Sequence, residues 1–200
     1  MFMVIRNNFS HMRSLYFVTT NDNKFRFFSS CFTVKGWSLV QKKVKIPEIQ
    51  AYSTRIIAAR SAEFAADQLN LPVVKEDVGL FIESLGGFPG PFLKQIEKWL
   101  SIDDFQKLLA NNDRNPAYWE YSVAFALPGK EAKVFTTKHQ GTMAYKAKGI
   151  SGCISDKLFV PKNERRTIAE MLDNNAYHKE SSHYFSLQSY LLTLKKRSFR

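Results

Sequence analysis

Apolar positions along the chain fall into short continuous or alternating runs and longer runs at helical spacing, and the two kinds are interleaved. Leu15–Val18 is a compact apolar run of the buried-strand type. It leads into Thr19-Thr20-Asn21-Asp22-Asn23, the chemistry of a turn and a helix N-cap. A helix is predicted from about Asn23 to Cys31, and a strand over Trp37–Ile46 that Pro47 ends. In Thr54–Leu69, Ala58, Ala62, Ala65, Ala66 and Leu69 share one helical face, small enough for close packing. Asn70-Leu71-Pro72 stops that helix. Val73-Val74 and Leu80-Phe81-Ile82 read as strand pieces on either side of an acidic pair, Glu76-Asp77.

Ile102–Leu109 reads as a short helix. Ala117–Leu127 alternates: Trp119, Tyr121, Val123, Phe125 and Leu127 point to a core, while Glu120 and Ser122 point away, as in a half-buried strand. Pro128-Gly129 turns the chain, and Lys133–Gly141 is its hairpin partner. A short apolar piece at Lys157–Pro161 follows, then a helical turn or two at Thr167–Leu172. The last helix is predicted over Ser182–Lys195, with Leu187, Leu191 and Leu194 on one face. The mixture predicts an α/β fold with a long, mixed, partly antiparallel sheet and flanking helices. No repeat or low-complexity linker divides the chain, so a single domain is expected over residues 12–200.

Residues 1–11 stand apart. The opening stretch carries Arg6 and Arg13 and no acid before Asp22, a pattern shared with transit-type leaders. Translation from Met12 would instead leave 1–11 as an N-terminal extension. The closing KKRSFR suits a solvated helix end, where cations oppose the helix dipole.

Composition sharpens this picture. The chain is 44% hydrophobic, enough for a real core, and its formal net charge of +11 suits anionic partners: nucleic acid, nucleotides or a membrane surface. No stretch approaches the roughly 20 apolar residues of a membrane span. Lysines and arginines are scattered, without an RRM, KH or zinc signature, which argues against nucleic acid. The two cysteines, Cys31 and Cys153, have no metal-binding spacing and fit a reducing, cytoplasmic compartment.

Candidate chemistry lies at three places. Thr19, Asn21 and Lys24 sit at a strand-to-helix junction, where hydroxyl, amide and ammonium groups together with free helix N–H groups make an anion site. The same residues also fit an ordinary N-cap followed by a solvated lysine. Glu48, Glu76 and Asp77 are oxygen ligands of the type that holds Mg²⁺ beside substrate phosphates, or three surface acids with no common site. One of them could orient or deprotonate a water. Lys94, just past the loop Gly86-Gly87-Phe88-Pro89-Gly90-Pro91, could neutralise a phosphate, or be solvated. His11 and His139 have no supporting pattern, and Trp119 and Tyr121 read as core.

Taken in order, FVTTNDNK, PEIQ, VVKEDVGLFIESLGGFPGPF, a Gly-rich stretch ending in DKLFVP, RTIAEM and SSH resemble the inosine triphosphatase family, from about Leu15 to about Leu194. The acidic pair with the Gly/Pro loop is the most specific segment. The resemblance implies two α/β lobes around a central cleft, a homodimer, and Mg²⁺-dependent cleavage of deaminated purine nucleoside triphosphates (ITP, dITP, XTP) to monophosphate and pyrophosphate. It assigns Thr19, Asn21 and Lys24 to the triphosphate and Lys94 to phosphate. Glu48 and Asp77 become metal ligands, and Asp77 also serves the attacking water. Arg60 falls loosely where some members carry a substrate-contacting base.

The purine-reading half departs from the family pattern. Its Phe-Gly-aromatic-Asp-Pro segment becomes Cys153-Ile154-Ser155-Asp156-Lys157, so Asp156 survives and the stacking ring is lost. Its Ser-His-Arg motif becomes Ser182-His183-Tyr184, and the lysine preceding it matches His178, or Lys179 in a register shifted by one. Val78 stands where the family has Ser or Thr, and Phe27 where a Glu is common. Three readings follow: a working diphosphatase, a degenerate relative that binds nucleotide or a protein without turnover, and a basic nucleic-acid-binding protein.

Overall fold

In the computed structural model, residues 12–109 and 115–194 are described. The proposed N-terminal extension, His11 and the basic tail lie outside them. The chain starts with β1 (Arg13–Val18), α1 (Asp22–Cys31), β2 (Trp37–Lys42), α2 (Thr54–Leu69) and β3 (Val73–Ile82). A single 3₁₀ turn leads to the two-residue β4 (Pro89–Gly90), then α3 (Leu93–Ile96), α4 (Ile102–Leu109), β5 (Pro116–Ala126) and β6 (Lys133–Met143). The chain ends in α5 (Ile154–Leu158), β7 (Phe159–Pro161), α6 (Ile168–Asp173) and α7 (Ser182–Thr193).

One mixed sheet organises these elements in the order β2-β1-β3-β5-β6-β7, with β4 added to β3. The first three strands are parallel and the rest antiparallel, as expected from the alternation of strands and helices in the first half and the hairpin in the second. α2 lays its alanine face on Val18, Val73, Ala124 and Ala126. Phe28 of α1 and Tyr184, Leu187 and Leu191 of α7 pack on the other face, against Phe17, Val74 and Val123. A third cluster gathers at the far end of the long strands around Leu80, Ile82, Phe105, Trp119 and Phe159.

Local chemistry sets the boundaries. Ser53 caps α2 by accepting from Ile56 N, and Asn70 ends it in the left-handed conformation at φ 52°. β2 is shorter than the apolar pattern suggests: pairing stops at Val18↔Lys42, because β1 ends there and turns into α1. The two pieces read around the acidic pair are one continuous ten-residue strand, so Glu76 and Asp77 lie mid-strand. β5 is not half-buried. Glu120 and Ser122 are buried because α2 covers their face, and Thr54 Oγ1 bonds both, at 2.5 Å to Glu120 Oε1 and 2.8 Å to Ser122 Oγ. The last helix stops at Thr193, and Lys195 falls outside the described residues.

The Gly/Pro loop folds back so that Leu80 pairs with Gly90 and Phe81 with Pro89. Gly79 makes this approach possible, since a Cβ there would sit 2.8 Å from Gly90 C and 2.9 Å from its O. Gly79→Ala is expected to lower unfolding free energy by about 1–3 kcal/mol, the usual cost of overpacking. Urea unfolding with an unchanged m-value would check it.

Candidate active site

β3 is paired with β5 along its whole length, from Val73↔Ala126 to Ile82↔Ala117. Its other edge is covered only at the ends, by β1 at Val73-Val74 and by β4 at Leu80-Phe81. Among the described residues no strand covers Lys75–Gly79 on that edge. The gap opens into a cleft of about 490 Å³ at the carboxyl end of β1, the place where open α/β sheets take ligands. Thr19, Asn21, Lys24, Glu48, Lys75, Glu76, Asp77 and Lys94 all line it, as do Glu97 and Trp119.

Successive side chains on a strand point to opposite faces, and this separates the two acids. Glu76 points toward α1 and α7. Its Oε1 accepts from Tyr184 Oη at 2.8 Å and faces His183 Nε2 at 3.1 Å, while Oε2 lies 3.2 Å from Lys24 Nζ. Burial acts to raise its pKa, but Lys24 and the His183 hydrogen bond outweigh burial and hold the carboxyl well below the usual range. Glu76 is therefore ionised, with one oxygen hydrogen-bonded to His183 and Tyr184 and the other ion-paired with Lys24, which takes it out of the expected set of three acids.

Asp77 points to the other face, beside Ser122 across the strand pair. Its Oδ2 is buried with no hydrogen-bond partner among the described residues. Burial pushes its pKa up to about 7, with Glu48 and Glu76 adding to the shift and Lys24 opposing it. A half-desolvated carboxylate with an unused oxygen is costly to maintain and is typical of a functional group. Glu48, exposed in the loop after β2, meets Lys75 Nζ at 3.0 Å.

At the strand-to-helix junction the expected free N–H groups are partly taken. Asn21 Oδ1 accepts from Asn23 N at 2.9 Å and Lys24 N at 3.2 Å, and Thr19 Oγ1 accepts from Asn21 N at 3.1 Å. Both side chains use their acceptor oxygens on the backbone, which leaves the Asn21 amide N–H groups and the Thr19 O–H as donors. Lys24 is aimed into the cleft by Glu76, whose backbone O it also approaches at 3.4 Å. Lys94 is exposed at the start of α3.

The C-terminal residues divide. Asp156 Oδ2 accepts from Cys153 N at 2.9 Å and Cys153 Sγ at 3.0 Å, capping α5. Ser155 is buried and donates to Glu97 Oε1 through both N, at 2.8 Å, and Oγ, at 2.7 Å. Ser182 is exposed and donates its N–H to Glu180 Oε1 at 2.6 Å. His183 is buried, with its ring stacked on Tyr121 at 5.4 Å. Tyr184 is a core residue, stacked on Phe28 at 4.1 Å and 8°. His178 is exposed, whereas Lys179 lies 4.8 Å over the Phe27 ring, and burial lowers its pKa against the opposing charge of Glu76. Arg60 pairs with Glu63 at 2.8 Å on the outside of α2 and does not line the cleft.

Residues 15–185 match the profile of the Ham1 family, which takes in the whole cleft. The chain belongs to the Ham1 family. It is 34% identical over 148 residues to a protein of Methanosarcina acetivorans named dITP/XTP pyrophosphatase, covering 74% of this chain and 80% of that one. A Methanopyrus kandleri protein of the same name is 32% identical over 155 residues, covering 78% and 82%. In fold, the chain superposes on the structure of a HAM1 protein from Coxiella burnetii with a TM-score of 0.79 at 20% identity, over 92% of this chain and all of that one. The inosine triphosphatase resemblance read from the motifs, and the α/β fold with an open mixed sheet, are thus both established.

Two cleft residues of this Ham1 chain were not singled out from the sequence as site residues. Lys75 is 8% exposed; as one lysine beside two acids it looks solvated in the sequence, and its partner Glu48 is 27 positions away. Trp119, read as core, is core and also lines the cleft, with its indole N–H buried and unpartnered among the described residues. No three His, Cys, Asp or Glu side chains form a metal cage among the described residues. The orphaned Asp77 oxygen and the exposed Glu48 carboxylate nonetheless fit a hard cation of the Mg²⁺ type, which takes one or two carboxylates and completes its shell with water and phosphate oxygens.

Proposed function

We propose that this chain hydrolyses deaminated purine nucleoside triphosphates (ITP, dITP and XTP) to the monophosphate and pyrophosphate, cleansing the nucleotide pool. The observation that carries the reading is Asp77: a half-buried carboxyl group with one buried, unused oxygen, in a cation-lined cleft. Similarity to the archaeal proteins named dITP/XTP pyrophosphatase supports it.

In this reading Lys24, the donors of Thr19 and Asn21, and Lys94 bind the triphosphate. Glu76 positions Lys24 and, with His183 and Tyr184, fixes the floor of the cleft. Asp77 orients the attacking water at the α-phosphorus and accepts its proton. Glu48 and Asp77 would hold Mg²⁺, which when bound neutralises phosphate charge. Asp156, Lys179 and Ser182 read the base; His178 is the alternative to Lys179. The protein acts as a cytoplasmic homodimer. No helix among the described residues is long and apolar enough to cross a membrane.

Pyrophosphate release from ITP, XTP, dITP, ATP and GTP with Mg²⁺ tests the reading, with Asp77→Asn as control. Release from ITP and XTP that the control abolishes is the expected result. Equal release from all five would mean that the altered base-reading residues have lost selectivity. Folded protein that binds nucleotide but releases nothing would replace the enzyme with a degenerate nucleotide binder.

A further inference from the structure

Lys75 stands apart from the other cations of the cleft. Its side chain is 10% exposed, against 25% for Lys24, and it pairs with the loop carboxylate of Glu48 at 3.0 Å. It shares a strand face with Asp77, two positions on. A buried ammonium needs a counter-charge, whereas Glu48, 55% exposed, is free to exchange partners. One carboxylate thus serves two cations: the built-in ammonium, and the divalent ion assigned above to Glu48 and Asp77.

Resting on that assignment, we propose that Lys75 is a tethered cation that competes with the divalent metal for Glu48, and that it passes to the substrate's phosphate chain when nucleotide binds. In the nucleotide-free protein, Lys75 occupies Glu48 and its charge repels an incoming ion. A triphosphate offers Lys75 a second anionic partner and releases Glu48 to the metal. Metal and nucleotide then bind with positive coupling, each raising the affinity for the other by the same factor. Lys75 is a positioning residue for Glu48 and a phosphate contact.

The test is binding, not turnover. Mn²⁺ affinity of the nucleotide-free protein is read by electron paramagnetic resonance, and ITP affinity in chelator by calorimetry. Lys75→Met is expected to bind Mn²⁺ at least about tenfold tighter than wild type, since a full charge beside the site is removed. It is also expected to bind metal-free ITP at least about tenfold more weakly, through loss of a charge-assisted contact. Lys75→Arg, which keeps the charge, should follow wild type in both, and Glu48→Gln should erase the Mn²⁺ difference. A merely structural Lys75 would move both affinities in the same direction or neither, and either result overturns the proposal. Equal Mn²⁺ affinity for Lys75→Met and wild type, with wild-type pyrophosphate release intact, overturns it and spares the proposed activity. No Mn²⁺ binding and no pyrophosphate release by wild type would sink both.

Discussion

Asp77→Asn is expected to abolish pyrophosphate release and, in the metal-free protein, to raise the melting temperature more at pH 8 than at pH 5. The activity loss should be about 10³-fold or more, since the variant removes both a water-orienting base and an ionic metal ligand. The stability gain follows from linkage. The Asp77 pKa is raised to about 7 by burial, with help from Glu48 and Glu76 against Lys24. Between the ordinary carboxylate range and pH 7 the native state therefore holds a proton that the unfolded state has lost, so stability falls as pH rises. The contribution is fully present below the unfolded value and gone above about 7. Asparagine stays neutral throughout. After allowance for partial exposure the gain at pH 8 is about 1–2 kcal/mol, or about 2–8 °C for a domain of this size. Melting curves in chelator at both pH values check it. Parallel shifts at pH 5 and pH 8 would remove the buried-charge account of Asp77.

The neighbouring acid should behave in the opposite way. Glu76→Gln is expected to destabilise the fold by about 3 kcal/mol, because it discharges one member of a buried, hydrogen-bonded ionic network. His183, Tyr184 and Lys24 all lose a charged partner. Here the folded-state carboxyl is depressed: burial opposes ionisation, but Lys24 and His183 prevail. Its stabilisation is present above the ordinary carboxylate range and is lost as pH falls through that range and below. The acid-unfolding limb of wild type should therefore be steeper than that of Glu76→Gln, and the two proteins should converge in stability toward low pH. Urea unfolding between pH 3 and pH 8 reads this directly. Two adjacent acids thus give opposite pH signatures, and the alternation of one strand is the cause.

That alternation also marks where the sequence was legible and where it was not. α2 shows in its alanine spacing and its Ser53 and Asn70 ends because helical periodicity and capping are local. β5 shows its facing correctly, but the burial of Glu120 and Ser122 depends on α2, which packs on them from more than fifty residues away. The motif singles out Asp77 as candidate chemistry. What holds Glu76 beside it was not legible, because the polar cluster that claims it comes from α1 and α7. The same holds at the C-terminus. Tyr184 looked like a damaged base-reading position; in the fold it is a core aromatic whose hydroxyl supports Glu76. Non-local pairing of charge is what a linear pattern conceals.

The uncovered stretch of β3 has a consequence outside catalysis. Among the described residues, five residues of strand edge carry no neighbouring strand, and such an edge is a template on which another chain could add a strand. A strand docking there would close the opening through which the cleft reaches Lys75, Glu76 and Asp77. The stretch is also closed at both ends, by β1 and by the β4 fold-back, so an intruding segment would find only about five residues of length. What limits growth of the sheet at this edge is therefore the pair of flanking contacts, and variants that disturb the β4 fold-back should be judged for aggregation as well as for activity.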